Sequence, residues 1–418
     1  MIGASRFCSA SSNEALDKTF LIKLFENQNL TLRLGDAMRL AKLNTGIREN
    51  NEMYHILGDP AMRLGAPRYR AIFTKIEPDT FKALGIIKIE GTVEKNGIPW
   101  NDFTGQFSLK GFDSKKKVVY TTQHGTRVTY SLPGNTIFRG RTKVENGRFK
   151  FSFIVPKDIS YGGNTARLSC YFWNNETDGA GYQDGIEERG SINLVDREGP
   201  EIELYFQGQE NFTTGEMVPE EPELVAVIQD DKTGVNITGE IGHKIELTID
   251  ENENRDLTDY FQYDEGSYLE GKLTYRLDSI KSGKHTLSLK AWDNANNSST
   301  QSIEFNVVPM GELRIERVLN YPNPFSASTH FTFQLNQDAK VEIKIFTVDG
   351  RLVKRFEGIM GGPGFNMFPP GPNEGWDGRD EMGDLLANGI YLYKIIAKAY
   401  VNGKDLKKEV VGRLVIMR

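Results

Sequence analysis

Two cysteines and five histidines are the side chains of this 418-residue sequence best suited to act as nucleophile, base or soft metal ligand. Thiol chemistry needs a cysteine whose pKa is lowered by a neighbouring histidine, so that a thiolate attacks and is held as an acyl intermediate. Cys8 is an isolated cysteine near the front and His55 shares its region. A lone pair at an arbitrary separation is weak evidence for a dyad, so Cys8 reads as a small buried hydrophobe and His55 as a strand residue. Cys170, in Leu168-Ser-Cys-Tyr-Phe-Trp173, reads as core. His124 and His330 have no ligand-like neighbours and read as exposed or edge positions, while His243 and His285 read as strand starts that bond to backbone. No His-x-x-x-His spacing exists, so no histidine metal site is expected.

The carboxylates raise two further possibilities. Asp250-Glu-Asn-Glu-Asn254 places oxygens at alternate positions, but an EF-hand loop needs glycine at position six and glutamate at position twelve, where Arg255 and Phe261 stand. Asp377-Gly-Arg-Asp380 with Asp384 reads as turns around Trp376, whose ring would cap a core. A calcium site of another kind stays open in either loop, since it needs only clustered oxygens. Asp230-Asp231 and Glu187-Glu188 read as solvated loop charge, not a glycosidase pair, and the Tyr171-Phe-Trp173 and Tyr260-Phe-Gln-Tyr263 clusters as packing, not a sugar platform. No catalytic, cofactor-binding or metal-binding residue is therefore assigned, and no cofactor is expected.

The elements that would hold these residues follow from periodicity. Leu16, Phe20, Leu24 and then Leu34, Met38, Ala41 recur at helical spacing, with Asn13 as the cap and Gly35-Asp36 as the break between two runs. Met53-Tyr-His-Ile-Leu57 reads as a short buried strand closed by Gly58-Asp-Pro60. Beyond Arg68 the pattern becomes alternating segments with turns every few residues. Phe149, Phe151 and Phe153 share one face, as do Leu287, Leu289 and Ala291, and Val341, Ile343 and Ile345. Asn96-Gly97, Asn146-Gly147, Asp349-Gly350 and Asn402-Gly403 suit two-residue hairpins with positive φ. The Gly361 to Pro372 stretch reads as a loop too rich in glycine and proline for a strand. The fold class expected is mainly β: three immunoglobulin-like β-sandwiches at 67–198, 199–309 and 310–418, preceded by a short α/β segment at 1–66.

Composition removes several function classes. With 57 acidic and 51 basic residues the net charge is -6, and no basic stripe suits nucleic acid. Two cysteines rule out a disulfide scaffold or a cysteine-pair zinc site. No run of apolar residues is long enough for a membrane-spanning helix. Met1-Ile-Gly-Ala-Ser-Arg-Phe7 lacks the basic and apolar regions of a signal peptide, so the expectation is a C-terminal part of a longer protein.

Asn320-Tyr-Pro-Asn-Pro-Phe325, Gly375-Trp-Asp-Gly378 and Asn388-Gly-Ile-Tyr-Leu-Tyr393 resemble the terminal β-sandwich module of proteins exported by the type IX secretion system, a module related to the immunoglobulin-like part of flagellar hook-capping proteins. Ile2-Gly-Ala-Ser-Arg-Phe-Cys-Ser-Ala-Ser-Ser-Asn13, Leu34-Gly-Asp-Ala-Met-Arg-Leu-Ala-Lys42 and Leu57-Gly-Asp-Pro-Ala-Met-Arg-Leu64 resemble the end of the caspase-like domain of gingipain-type cysteine peptidases. Asp178-Gly-Ala-Gly-Tyr182, Asp196-Arg-Glu-Gly-Pro-Glu-Ile-Glu-Leu-Tyr205, Ile241-Gly-His243 and Gly283-Lys-His-Thr-Leu-Ser-Leu-Lys-Ala-Trp-Asp-Asn294 resemble the sortase-type member of that family. The resemblance implies an endopeptidase and transpeptidase on the outer-membrane surface. It would remove C-terminal signal domains from exported cargo, with an outer-membrane β-barrel protein as partner. It also implies that the catalytic histidine and cysteine lie upstream of this chain. An exported gingipain-like protease that is itself cargo, or a non-enzymatic multi-sandwich adhesin, are the alternative readings.

Overall fold

A computed structural model describes the chain apart from residues 1, 6, 8, 9, 27–31, 47, 124, 161–164, 252, 279, 310, 372 and 402. Cys8, His124 and the Asn402 half of one expected turn therefore lie outside the described residues. The chain is mainly β and divides into two compact units, 1–155 with 159–192, and 156–158 with 193–418.

The first unit opens with helices Ala10–Phe25, Leu34–Thr45 and Arg48–Glu52. Leu16, Phe20 and Leu24 meet Ala37, Met38 and Ala41 in a small core, as the spacing predicts. Two details differ from expectation. Asn13 lies inside the first helix and is not its cap. Gly35 and Asp36 fall in the first turn of the second helix, where an acid favours the N-terminal dipole end. Gly35 is needed there because a Cβ would stand 3.0 Å from Pro60, whose carbonyl accepts the Gly35 N–H at 2.8 Å. The strand Tyr54–Ile56 forms as expected, yet it is half-buried, because among the described residues it pairs with the three-residue strand Ile2–Ala4 alone.

The rest of this unit is a nine-stranded sheet in the order Thr136–Val144, Gly105–Phe112, Thr165–Trp173, Asp178–Ser191, Tyr69–Glu77, Ile86–Lys95 and Arg148–Ile154, with two short strands attached. Its two end strands are consecutive in sequence and joined at Asn146-Gly147, so the sheet folds over on itself and the phenylalanines of both halves meet. Phe107 stacks on Phe149 at 4.0 Å and Phe138 on Phe153 at 4.8 Å. Asn96-Gly97 and Asn146-Gly147 have positive φ at both residues, whereas at Asp349-Gly350 only the glycine does.

The second unit holds two pairs of facing sheets. Glu201–Phe206, Glu223–Gln229, Glu270–Arg276 and Gln262–Tyr263 form one sheet, and Glu216–Val218, Ser298–Val307, Gly283–Trp292, Glu246–Ile249 and Glu253–Asp256 the other. Further along, Ile315–Tyr321, His330–Leu335 and Gly364–Phe368 lie against Leu352–Gly361, Ala339–Thr347, Gly389–Val401 and Lys404–Ile416. Gly364–Phe368 corrects the expected loop. Gly361 lets the backbone pass where a Cβ would stand 2.6 Å from Leu335, Gly364 turns at φ +83°, and Asn366 bonds the backbone of Gly362 on both sides. Backbone geometry here outweighs strand propensity.

Candidate functional site

The strongest convergence of polar side chains lies at one end of the first sheet pair of the second unit. Strand Glu201–Phe206 runs antiparallel to Glu223–Gln229 with Glu201 opposite Gln229. Asp196, before the first strand, and Asp230, after the second, are thereby brought to the same end. Asp293 follows strand Gly283–Trp292 of the facing sheet. The three carboxylates have oxygens within 4.8 Å of one another. Asp230 is 5% exposed and Asp293 fully buried. Sequence reading took Asp230-Asp231 as solvated charge, which the burial of Asp230 corrects.

Each acid is held by its own loop. Asp230 Oδ1 accepts the N–H groups of Lys232 at 3.2 Å, Thr233 at 2.5 Å and Gly234 at 2.9 Å. Asp293 accepts the backbone N–H of Asn297 at 2.6 Å and its side-chain N–H at 2.7 Å. Asn294 ties two of the loops together, donating its side-chain amide to the Thr233 carbonyl at 2.8 Å and its backbone N–H to Gly234 at 3.0 Å. Gly234 turns at φ +75°, where a Cβ would meet the Tyr268 carbonyl at 2.2 Å. Lys232 approaches Asp196 at 3.5 Å and is the cation nearest to the cluster among the ion pairs of the described residues.

Burial, and then the charges of Asp230 and Asp196, raise the Asp293 carboxyl to about 6, against the opposing pull of its Asn297 hydrogen bonds. Such an all-oxygen set suits a hard cation such as calcium better than a soft metal. A proton on Asp293 relieves the same repulsion.

A second polar network continues from this end. Asp158 accepts Asn236 at 3.0 Å and Asn296 at 2.8 Å, and meets His243 Nδ1 at 2.5 Å. The His243 ring stands edge-on to Trp292 at 4.7 Å. Three motifs that carry the family resemblance, around Asp196, His243 and Asp293-Asn294, thus come together around one end of these sheets. His243 itself lies in a turn, not at a strand start, since the next strand begins at Glu246.

In the first unit a smaller acid pair appears. Glu188 is fully buried in strand Asp178–Ser191, whereas Glu187 is exposed beside Arg189. Reading Glu187-Glu188 as solvated loop charge is corrected, because strand alternation turns Glu188 inward toward Asp113. Asp113 accepts the N–H of Ser114 at 2.7 Å and the hydroxyl of Ser160 at 3.0 Å. Burial first, then Asp113, push Glu188 up to about 8, toward the protonated form.

No thiol site forms among the described residues. Cys170 Sγ donates to the Gly181 carbonyl at 3.3 Å, and burial pushes its thiol up to about 12, away from a reactive thiolate. His55 sits exposed in Tyr54–Ile56. His285 meets Asp250 at 2.7 Å and the Lys281 carbonyl at 2.6 Å, and His330 the Pro369 carbonyl at 3.0 Å. Trp376 is 5% exposed and packs among Phe325, Phe331 and Phe356, as expected of a core cap. Asp377 and Asp380 accept backbone N–H groups within their own turns. The Asp196, Asp230 and Asp293 grouping has no sequence signature, since its members are spread over nearly a hundred residues of chain; only the Trp292-Asp-Asn294 and Asp196-Arg-Glu motifs hinted at it.

Several solved structures are similar to this chain. Dimeric latent PorU from Porphyromonas gingivalis is 24% identical, with 94% of this chain and 38% of that chain covered and a TM-score of 0.38. A tetra-tandem repeat from the extending region of a large adhesion protein is 14% identical, covering 83% of this chain and 74% of that one at a TM-score of 0.18. The FN1-FN3 domains of chicken CNTN1 are 9% identical, covering 85% and 100% at a TM-score of 0.17. The chain thus spans 38% of the length of the PorU chain. No curated protein matches. Residues 1–65 of this mainly β chain match the family model of peptidase family C25.

Proposed function

We propose that the chain is the C-terminal part of a PorU-like sortase of the type IX secretion system. In this reading the whole protein is a cysteine endopeptidase and transpeptidase at the outer-membrane surface. It removes C-terminal signal domains from exported cargo and works beside an outer-membrane β-barrel protein. The catalytic histidine and cysteine lie upstream of residue 1, and the chain divides into the peptidase segment 1–66 and β-sandwiches at 67–198, 199–309 and 310–418.

The match of residues 1–65 to peptidase family C25 carries the proposal, because a string of sandwiches alone has no use for such a segment. The exposed apolar surface of that segment supports it. Ile22 is 61% exposed and Leu43 68%, and Leu21, Phe25 and Leu57 are exposed as well. An upstream body of the same domain would cover such a surface.

The test is a deletion of the full reading frame in the native bacterium, followed by mass spectrometry of exported proteins. Cargo should keep its C-terminal domains in the deletion and lose them on complementation, while this protein keeps its own end at Val415 to Arg418. Cargo processed normally in the deletion would overturn the proposal, and loss of the tail from about Glu312 onward would make this protein cargo instead. The purified 418-residue chain should show no thiol-dependent peptidase activity. Activity abolished by Cys8→Ala would place the nucleophile inside the chain.

A further inference from the structure

Strands Lys116–Thr121 and Arg127–Leu132 form a two-stranded hairpin that pairs with no other strand among the described residues. An isolated hairpin is marginal in water unless something covers one face. Its register, with Lys116 opposite Leu132, Val118 opposite Tyr130 and Tyr120 opposite Val128, gathers Val118, Tyr120, Val128, Tyr130 and Leu132 on one side, with Lys116 at the base of that side. The other side carries Lys117, Val119, Thr121, Arg127, Thr129 and Ser131. Tyr120 is 54% exposed, Tyr130 45% and Leu132 47%, so the apolar side faces solvent. The root is firmly set: Asp113 N–H bonds the Asn135 carbonyl at 2.9 Å, and Gly134 passes where a Cβ would lie 2.1 Å from the Asp113 carbonyl.

Charge selects what covers this face. In a chain of net charge -6, residues 114–144 contain no Asp or Glu, and Lys115, Lys116, Lys117 and Arg127 belong to the arm or its root. A second copy would set like charges against each other. Tyrosines on a mostly apolar face edged by Lys116, with Lys117 and Arg127 on the opposite face and Lys115 at the root, are the arrangement of elements that lie in a membrane interface. Open strand edges and the polar tip at 121–127 keep such a hairpin out of the hydrocarbon, where unpaired backbone is costly.

We propose that the 116–132 hairpin is a docking arm for an anionic lipid surface, lying in the headgroup layer with Tyr120 and Tyr130 inward and its lysines on lipid phosphates. The arm is independent of the peptidase reading above. The test is cosedimentation of the 418-residue chain with vesicles of phosphatidylcholine alone and of phosphatidylcholine mixed with phosphatidylglycerol. Binding is expected only to the mixed vesicles and should weaken with salt. Neutralising Lys115, Lys116 and Lys117 to Gln should reduce it at least ~10-fold, as should Tyr120→Ser with Tyr130→Ser. Neutralising Lys404, Lys407 and Lys408 should leave it unchanged. All these substitutions are on exposed residues outside the cores, and an unchanged denaturation midpoint checks the fold. No binding to mixed vesicles, equal binding to both, or binding that survives the hairpin substitutions would each overturn the proposal. Capture of an acidic protein by the arm without vesicle binding would also overturn it.

Discussion

The helical front and the last two sheets are built on opposite terms. In the front, six buried residues from two helices make the core, and Leu21, Ile22, Phe25 and Leu43 remain exposed around it. In the last two sheets eighteen buried residues close a core that includes Phe331, Phe333, Trp376 and Tyr393, and the final strand Lys404–Ile416 is part of it through Leu414 and Ile416. Regular secondary structure is thus no sign of a complete core. A helix pair forms from local periodicity, but it becomes self-sufficient only when its remaining apolar faces are covered.

Substitutions can test that contrast. Trp376→Ala removes a ring that touches Phe325, Phe331 and Phe356 and whose Nε1–H donates to the Arg379 carbonyl at 2.9 Å. It should cost about 3–5 kcal/mol in chemical denaturation; a loss under about 1 kcal/mol would mean that the core repacks around the gap.

Glu188→Gln comes next and acts through pH. The folded state holds the Glu188 proton up to about pH 8, whereas an unfolded glutamic acid releases it near its ordinary value of 4.5. Folding therefore takes up a proton between these values, and stability falls as pH rises through that window. The glutamine variant should show a flatter stability profile between them. An unchanged slope would show that Glu188 is already ionised in the fold.

Phe20→Ala should abolish hydrogen-exchange protection in 10–45 while shifting the denaturation midpoint of the last two sheets by less than about 0.5 kcal/mol. A shift as large as that of Trp376→Ala would join the two regions into one cooperative unit. Smallest of all, Ile22→Lys should change stability by about 0.5 kcal/mol or less and raise solubility, read from the concentration at which the chain precipitates. A strong loss of stability would show that Ile22 is covered in solution.

Much of the fold was legible because strand alternation is a property of a few adjacent residues. Phe149, Phe151 and Phe153 are all buried, as are Leu287, Leu289 and Ala291, with Lys150 exposed between the first pair. Cys170 and Trp376 were recognisable as core from their aromatic or turn-rich neighbours. Less legible were the places where backbone contact decides. Gly35 sits in a helix because Pro60 crosses it, and Gly364–Phe368 is a strand because glycine and Asn366 accommodate its approach.

The sequence by itself determined the mainly β class, the two leading helices, the inward faces of the strands and the peptidase-like character of residues 1–65, all of which reside in short runs of residues. Tertiary structure alone decided that Asp196, Asp230 and Asp293 share one end of a sheet pair, that Glu188 is a buried acid beside Asp113, and that one amphipathic hairpin pairs with no other strand among the described residues. These depend on which strands pair and in what register, and pairing joins residues far apart in the chain for which no local pattern exists.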